Sequence, residues 1–362
     1  MFFELSVPRP LARADEQRAY REALEVAQLA DRLGYDWVWA VEHHFLEEYS
    51  HCSSPEVFLA ACAATTQRIR LGHGAVVCVP GMNHPIRVAE RAAALDILSN
   101  GRLEFGTARS STWTELGGFQ IDPDVTKKSW DEYVRVIPRM WTQSVFSWDG
   151  LTFSMPERNV LPKPQQEPHP PMWVTVTTPG TELDAADRGI GCLGVAAVSY
   201  EEQERRTAEY RRRIESCDPV GEVVTNMVTT QNFLFCHEDI DHATDVGGRM
   251  VSAFHLANSH LLWTREAYPT SAYQSLANLA PPRRAAAEGG AGDHRPLPEG
   301  VGIGDPAHLV DVINEWESVG VDGVNFIVNT LDVIRHAEVL DSLRLFATEV
   351  MPKFSPTAAT AG

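Results

Sequence analysis

Residues Asp36-Trp37-Val38-Trp39-Ala40-Val41-Glu42-His43-His44-Phe45 are the stretch from which the fold of this chain is read. Asp36 to Val41, a short run dominated by apolar residues, is read as the second strand of an alternating strand–helix chain. Glu42, His43 and His44 then follow at its end. Side chains alternate along a strand, so three consecutive polar residues cannot all face the core, and at least one is expected to face a pocket.

Working outward, strand-like and helix-like segments alternate almost from end to end. Upstream lie a first strand, Phe2 to Val7, and a helix with Tyr20, Ala23, Leu24 and Ala27 on one face, closed by Gly34. Downstream, Ser54-Pro55-Glu56 has the pattern of a helix N-cap with proline at the first position. A third strand is expected within Ile69 to Val79, a helix over Pro85 to Leu98, and a fourth strand over Arg102 to Gly106. Ser129 to Trp141 reads as a helix kinked or ended early by Pro138. Strands five to seven are expected at Met172 to Val176, near Cys192 to Val198, and within Val223 to Phe235, with a charged helix at Glu201 to Ile214. The last unit opens with Asp305-Pro306, carries Leu309, Val312, Ile313 and Trp316 on one stripe, and holds the strand Gly323 to Val328 before a closing helix to about Val350. Eight βα units are the count of a closed (β/α)₈ TIM barrel, expected here as a single domain over 1–362. Two segments break the rhythm. One is an insertion at 142–170, in which Trp148-Asp149-Gly150-Leu151 signals a small hairpin. The other, 252–300, is too small and polar toward its end to pack and reads as a lid or a disordered loop.

Composition narrows the function classes. With 31 basic against 49 acidic residues the formal charge is −18, which repels phosphate backbones and anionic lipid. A nucleic-acid or membrane role is therefore not expected, and an anionic ligand needs a local cluster of donors. The six cysteines are scattered without a CxxC pair, against both a disulfide framework and a zinc knuckle. Met1-Phe2-Phe3-Glu4-Leu5-Ser6 lacks the basic and apolar regions of a signal peptide, and no apolar stretch reaches the length of a membrane span, so a cytoplasmic protein is expected.

In a barrel, residues just past the C-terminal ends of strands face the active site, which puts Glu42, His43 and His44 at its mouth. A histidine there holds or moves a proton near neutral pH. For an arbitrary pair of histidines local hydrogen bonding is the commoner explanation, and the strand-end position tips the reading toward catalysis. A metal site is the rival, with Glu42, His43, His44 and His51 close together and His73 and His84 flanking the next strand. No HExxH or HxH spacing supports it, and no metal is expected. A second cluster, Gly106 to Ser111 with Arg109, follows strand four, and a third, Thr175 to Thr181, follows strand five. Hydroxyls, free backbone N–H groups and a guanidinium at strand-to-helix turns make a phosphate cradle. Thr178 and Thr181 are equally readable as helix N-caps. Gly72-His73-Gly74-Ala75 allows a flat ligand close to the backbone or marks a bulge, the two readings being equally good.

The run Leu33 to Phe45 resembles the corresponding segment of bacterial luciferase α subunits and related luciferase-like flavin monooxygenases. So do Asn83 to Arg91, Leu95 to Gly106, Leu161 to Trp173, Ala185 to Gly189, Gly320 to Gly323 and Glu349 to Phe354. The resemblance spans the chain except 235–300 and implies the (β/α)₈ barrel. It implies an enzyme that takes reduced FMN from a separate flavin reductase and reacts it with O₂, the peroxyflavin then oxidising a small organic substrate. Under it, His43 is the catalytic histidine, with Glu42 and His44 beside it. Arg109 with Thr177, Thr178 and Thr181 surrounds the FMN phosphate, and Ala108 and a non-proline cis peptide at Gly74-Ala75 lie against the cofactor. Phe45 and Trp113 line the substrate side, and a homodimer is the family's common state. The chain also departs from the family. Light-emitting subunits carry a reactive cysteine at Ala108 and an acidic residue at Thr177, so luminescence is not implied, and Lys127 replaces an arginine that grips phosphate. Two alternatives accompany this reading: a deazaflavin (F420)-dependent hydride-transfer enzyme on the same fold, disfavoured by Glu-His-His where an Asp-His pair is usual, and a non-catalytic flavin-binding subunit.

Overall fold

The computed structural model describes residues 1–110, 112–194, 198–262 and 297–354. The strands are β1 (Phe2–Phe3), β2 (Trp37–Ala40), β3 (Arg70–His73), β4 (Val76–Val77), β5 (Leu103–Ala108), β6 (Phe146–Asp149), β7 (Ser154–Arg158), β8 (Met172–Val176), β9 (Gly191–Gly194), β10 (Val228–Cys236), β11 (Gly302–Gly304) and β12 (Gly323–Ile327). The helices are α1 (Arg13–Leu33), α2 (Pro55–Thr65), α3 (Pro85–Leu98), α4 (Trp113–Gly118), α5 (Thr126–Thr142), α6 (Thr181–Asp187), α7 (Tyr200–Ile214), α8 (Ile240–Leu262), α9 (Pro306–Ser318) and α10 (His336–Leu345). Parallel pairing runs β1-β2-β3-β5-β8-β9-β10, and β12 adds to β10 with Thr229 opposite Gly323. β12 comes round beside β1. Across that seam the described residues form no strand ladder, and the Leu331 N–H donates to Ser6 Oγ at 2.9 Å. The result is the curled eight-stranded (β/α)₈ arrangement expected from the alternation.

Local sequence explains most of these elements. α1 carries Asp15 and Glu16 in its first turn and Arg32 in its last, matching the helix dipole, and Gly34 ends it at φ 92°. α3 begins with Pro85 behind His84, whose Nδ1 accepts the Ile86 N–H. Ser54 precedes Pro55 as expected, but its side chain makes no cap hydrogen bond, since its backbone (φ −145°, ψ 76°) departs from the usual cap conformation.

Several expected boundaries are corrected. The first strand pairs only over Phe2–Phe3, because Leu5 turns the chain at φ 55°. The third is split into β3 and β4 by the cis Gly74-Ala75 peptide. The fourth runs on to Ala108. α5 starts at Thr126 and passes through Pro138 to Thr142, since its strongly one-sided apolar face packs on the sheet and outweighs the lost hydrogen bond. The insertion at 142–170 does form an antiparallel hairpin, β6 with β7. The supposed break at 252–300 is partly regular, since 252–262 belong to α8, and just past it Gly302–Gly304 is an extra strand on β10. Residues 263–296 of that proposed lid lie outside the described residues, as do Ser111 and the 195–197 end of the sixth strand.

Inside the barrel, Trp39 and Trp173 meet edge-to-face at 5.5 Å. A side chain at Gly72 would strike the Trp39 ring, and one at Gly191 the Trp173 ring. Trp173 Nε1 donates to the buried Glu104, which also pairs with Arg70. The barrel floor is thus filled by protein side chains, and polar groups at the C-terminal strand ends lie above it.

Candidate functional site

Glu42, His43 and His44 come together at the barrel mouth with two residues that the sequence reading did not single out, Glu4 and Glu115. His43 Nδ1 lies 3.0 Å from Glu115 Oε1, and its Nε2 lies 3.8 Å from Glu4 Oε2. Its backbone N–H donates to Cys52 O, tying down the loop that carries it. Glu115 is fully buried in α4. Its Oε1 also accepts the His44 backbone N–H, and its Oε2 accepts the Ser110 and Thr112 hydroxyls at 2.9 and 2.7 Å. Burial would raise this carboxyl, but His43 and these donors hold it below its ordinary value. Glu4 is buried at the end of β1 and accepts the Tyr49 hydroxyl at 3.1 Å. Burial lifts its pKa to about 7 against the opposing pull of His43 and Tyr49.

These carboxylates change the expected chemistry of His43. Burial alone would lower its pKa, but Glu115, Glu4 and Glu42 overcome that and raise it to about 9. The surrounding carboxylates thus favour the imidazolium over the neutral ring, where the sequence expectation was a group switching near pH 7. Glu42 is occupied differently. Its Oε2 accepts the Val77 N–H at 2.7 Å and its Oε1 the Asn83 amide at 2.8 Å, with His44 Nε2 at 3.3 Å. It thereby locks β4 and His44 in place. The other histidines of the sequence pattern disperse. His51 bonds Glu16 and the Glu47 carbonyl, His84 caps α3, and His73 is buried under the sheet.

The expected phosphate residues assemble on the neighbouring strand ends. Thr107 of β5 pairs with Val174 of β8, so Ala108-Arg109 and Val176-Thr177-Thr178 leave the sheet side by side. α6 is capped by Gly180 at φ 92°, and among the described residues neither the Thr178 nor the Thr181 hydroxyl serves as its cap. The Glu182 carboxylate takes the Gly180 N–H. Lys127 Nζ pairs with Asp184 of α6 at 2.6 Å. The Gly74-Ala75 peptide is cis, as the resemblance implied. The space beside Gly74 is taken by Phe2 and Trp39, so close protein packing accounts for that glycine.

Phe45 is exposed and lies 5.3 Å from Phe119, which in turn lies 4.9 Å from the His44 ring. Trp113 opens α4 and packs with Val77, Val79, Leu116 and Ile121. The other side of His43 is apolar: Leu46, Tyr49 and Ala257 cluster with Phe254 and Leu331.

Glu115 had a readable signal. Thr112-Trp113-Thr114-Glu115 matches the T-x-x-E capping box, and Thr112 Oγ1 does accept the Glu115 N–H at 3.1 Å. The Glu115 carboxylate, however, serves the two histidines. Glu4 was signalled only by a charge within the apolar run Phe2 to Leu5.

A model of the luciferase-like monooxygenase family matches residues 1–323. Over 176 residues the chain is 32% identical to the oxygenase component of a flavin-dependent trigonelline monooxygenase from Acinetobacter baylyi, covering 48% of each chain. It spans about half the length of the first curated relatives it matches. Among solved structures, a monooxygenase from Streptomyces bottropensis superposes with a TM-score of 0.76 at 26% identity, covering 98% of this chain and 99% of that one. The oxygenating constituent of 3,6-diketocamphane monooxygenase from Pseudomonas putida, in complex with FMN, shares the fold with a TM-score of 0.73 at 17% identity, covering 98% and 97%. The strand order, the histidine-bearing mouth and the match along 1–323 together make this chain a member of the luciferase-like monooxygenase family.

Proposed function

We propose that the chain is the oxygenase component of a two-component, FMNH₂-dependent monooxygenase that inserts one oxygen atom of O₂ into a small organic substrate. The observation that carries this reading is the His43 imidazole held by Glu115 at a barrel mouth where the chain segments bearing Arg109 and Thr177-Thr178 leave adjacent, paired strands. The donor set fits a reduced flavin. A guanidinium and hydroxyls on adjacent strand ends suit its phosphate. Arg109, Thr177, Thr178 and Thr181 would hold the phosphate, and Gly74-Ala75 and Ala108 would flank the ring system. Reduced FMN, when bound, supplies the electrons that activate O₂, one oxygen atom going to the substrate and the other leaving as water.

The side chains contribute binding and a proton. His43, favoured as the imidazolium by its carboxylates, is a proton donor and an electrostatic partner for negative charge developing on oxygen. Glu115 keeps Nδ1 protonated and leaves Nε2 as the working nitrogen. Glu42 holds His44 and β4 in register. Phe45 and Trp113 would form the substrate wall. A separate flavin reductase, a cytoplasmic setting, a homodimer and a single barrel domain belong to the same reading. No helix of the described residues is long and apolar enough to cross a membrane.

Anaerobic titration of the protein with FMNH₂ and with reduced F420, followed by O₂ and a screen of aldehydes, ketones and aromatic compounds, tests the reading. FMNH₂ should bind, and oxygen uptake should accompany an oxygenated product. Preference for F420 with hydride transfer, or flavin binding without turnover, would each replace it with the corresponding alternative. Arg109→Ala should weaken FMN binding by about 1.5–3 kcal/mol, the value of a charge-assisted contact. An unchanged dissociation constant would move the phosphate elsewhere.

A further inference from the structure

We propose that Glu4 is a positioning residue that sets the protonation of His43: seated at the end of β1, it holds the proton on Nε2 while Glu115 holds the one on Nδ1. For its catalytic meaning this rests on the monooxygenase reading; the geometry stands independently of it. Glu4 is 7% exposed, and its two oxygens differ. Oε1 accepts the Tyr49 hydroxyl at 3.1 Å. Oε2 has no hydrogen-bond partner among the described residues and sits 3.8 Å from His43 Nε2. A buried carboxylate with an unpaired oxygen is costly and is kept only where an opposite charge compensates it. The strand does not require it, since Phe2 and Phe3 of the same strand bury hydrocarbon alone. His43 is the cation that compensates.

The groups facing this pair are Tyr49 from the loop after β2, Glu42 just beyond β2, Glu115 from α4 and the buried Cys52 thiol, itself pushed above its ordinary range by burial and by Glu4. His43 and its other donors hold Glu115 below its ordinary value, and burial raises Glu4 to about 7, below the value to which His43 is raised. Glu4 therefore changes charge in a range where His43 keeps its proton. Each ionisation of Glu4 strengthens the hold of His43 on its proton, and by linkage the converse holds equally.

The test uses the full chain with ¹³C-labelled histidine, the His43 signal being assigned by its loss in His43→Asn. Glu4→Gln keeps the volume and an acceptor for Tyr49 but removes the charge. The His43 titration midpoint should fall by about one unit or more, the usual effect of removing an opposite charge within 4–6 Å, and Glu4→Asp should restore part of it. An unchanged midpoint in Glu4→Gln overturns the proposal. Should that variant fail to fold, the reciprocal measurement decides. With ¹³C-labelled glutamate, the Glu4 midpoint should rise in His43→Asn, and an unmoved midpoint overturns the proposal. In turnover, the alkaline limb of the pH–rate profile should move to lower pH in Glu4→Gln. Neither NMR titration involves flavin, so a failed FMNH₂ titration would remove the monooxygenase reading and leave this pairing standing.

Discussion

His43 follows β2 and His73 ends β3, and these strands pair directly, with Ala40 opposite His73. His43 lies beyond the end of β2, past the Ala40 that pairs with His73, so the two histidines stand at successive levels of the same side of the barrel. His43 has a carboxylate toward each ring nitrogen and is raised to about 9. His73 is 1% exposed, has no hydrogen-bond partner for either nitrogen among the described residues, and is lowered to about 3 by burial, with Arg91 adding to the effect. Its nearest ring neighbour is Phe105, at 5.8 Å edge-to-face. Strand-end position alone therefore does not make a histidine functional. The mouth side supplies carboxylates, whereas the side beneath the helices supplies hydrocarbon and keeps the ring neutral.

The sharpest way to break this contrast is by substitution at the two sites. His43→Ala should reduce substrate oxidation by about 10²–10⁴, the usual contribution of a positioned acid or base, with FMN affinity nearly intact. His73→Leu should leave the rate near that of the wild-type protein. Comparable losses in single-turnover assays of both would mean that strand-end position, and not the carboxylates, decides.

A second test removes the distinguishing partner. Glu115→Gln keeps a hydrogen-bond acceptor beside Nδ1 but loses its charge, and the His43 midpoint should drop by roughly 1–3 units. NMR titration showing His43 still near 9 would assign its elevation to Glu4 and Glu42 alone.

The smallest effects are on stability, where the two rings should act on opposite arms of the pH profile. His73 has a folded pKa below the ordinary 6.5, so its contribution is present above 6.5 and is lost as pH falls toward 3. His43 and Glu4 have raised values, so their contributions are complete below 6.5 and 4.5 and are lost as pH rises through about 9 and 7. Thermal melts should show His73→Leu flattening the acid arm only, and Glu4→Gln flattening the alkaline arm. Near neutral pH, His73→Leu should also stabilise by about 1 kcal/mol, because two unsatisfied buried nitrogens are removed. A destabilised protein would point to an unrecognised partner for His73.

The chain's own local patterns were sufficient for the alternation of strands and helices, because apolar spacing, proline at first helical turns and Gly34 past α1 act within a few residues. They were also sufficient to put His43 beyond a buried strand. What they left open is which partners meet there. Glu115 lies 72 residues from His43 in the chain, and its T-x-x-E signature reads only as a helix start. Glu4 looks like a stray charge in an apolar run until β1 pairs with β2, Phe2 opposite Trp39 and Phe3 opposite Ala40. The split of the third strand at Gly74-Ala75, the passage of α5 through Pro138 and the packing of Trp39 over Gly72 were likewise decided by neighbours distant in sequence. Proton affinity follows the same division: residue type sets a histidine near 6.5, and only the field of carboxylates or hydrocarbon assembled around the folded ring moves it to about 9 or about 3.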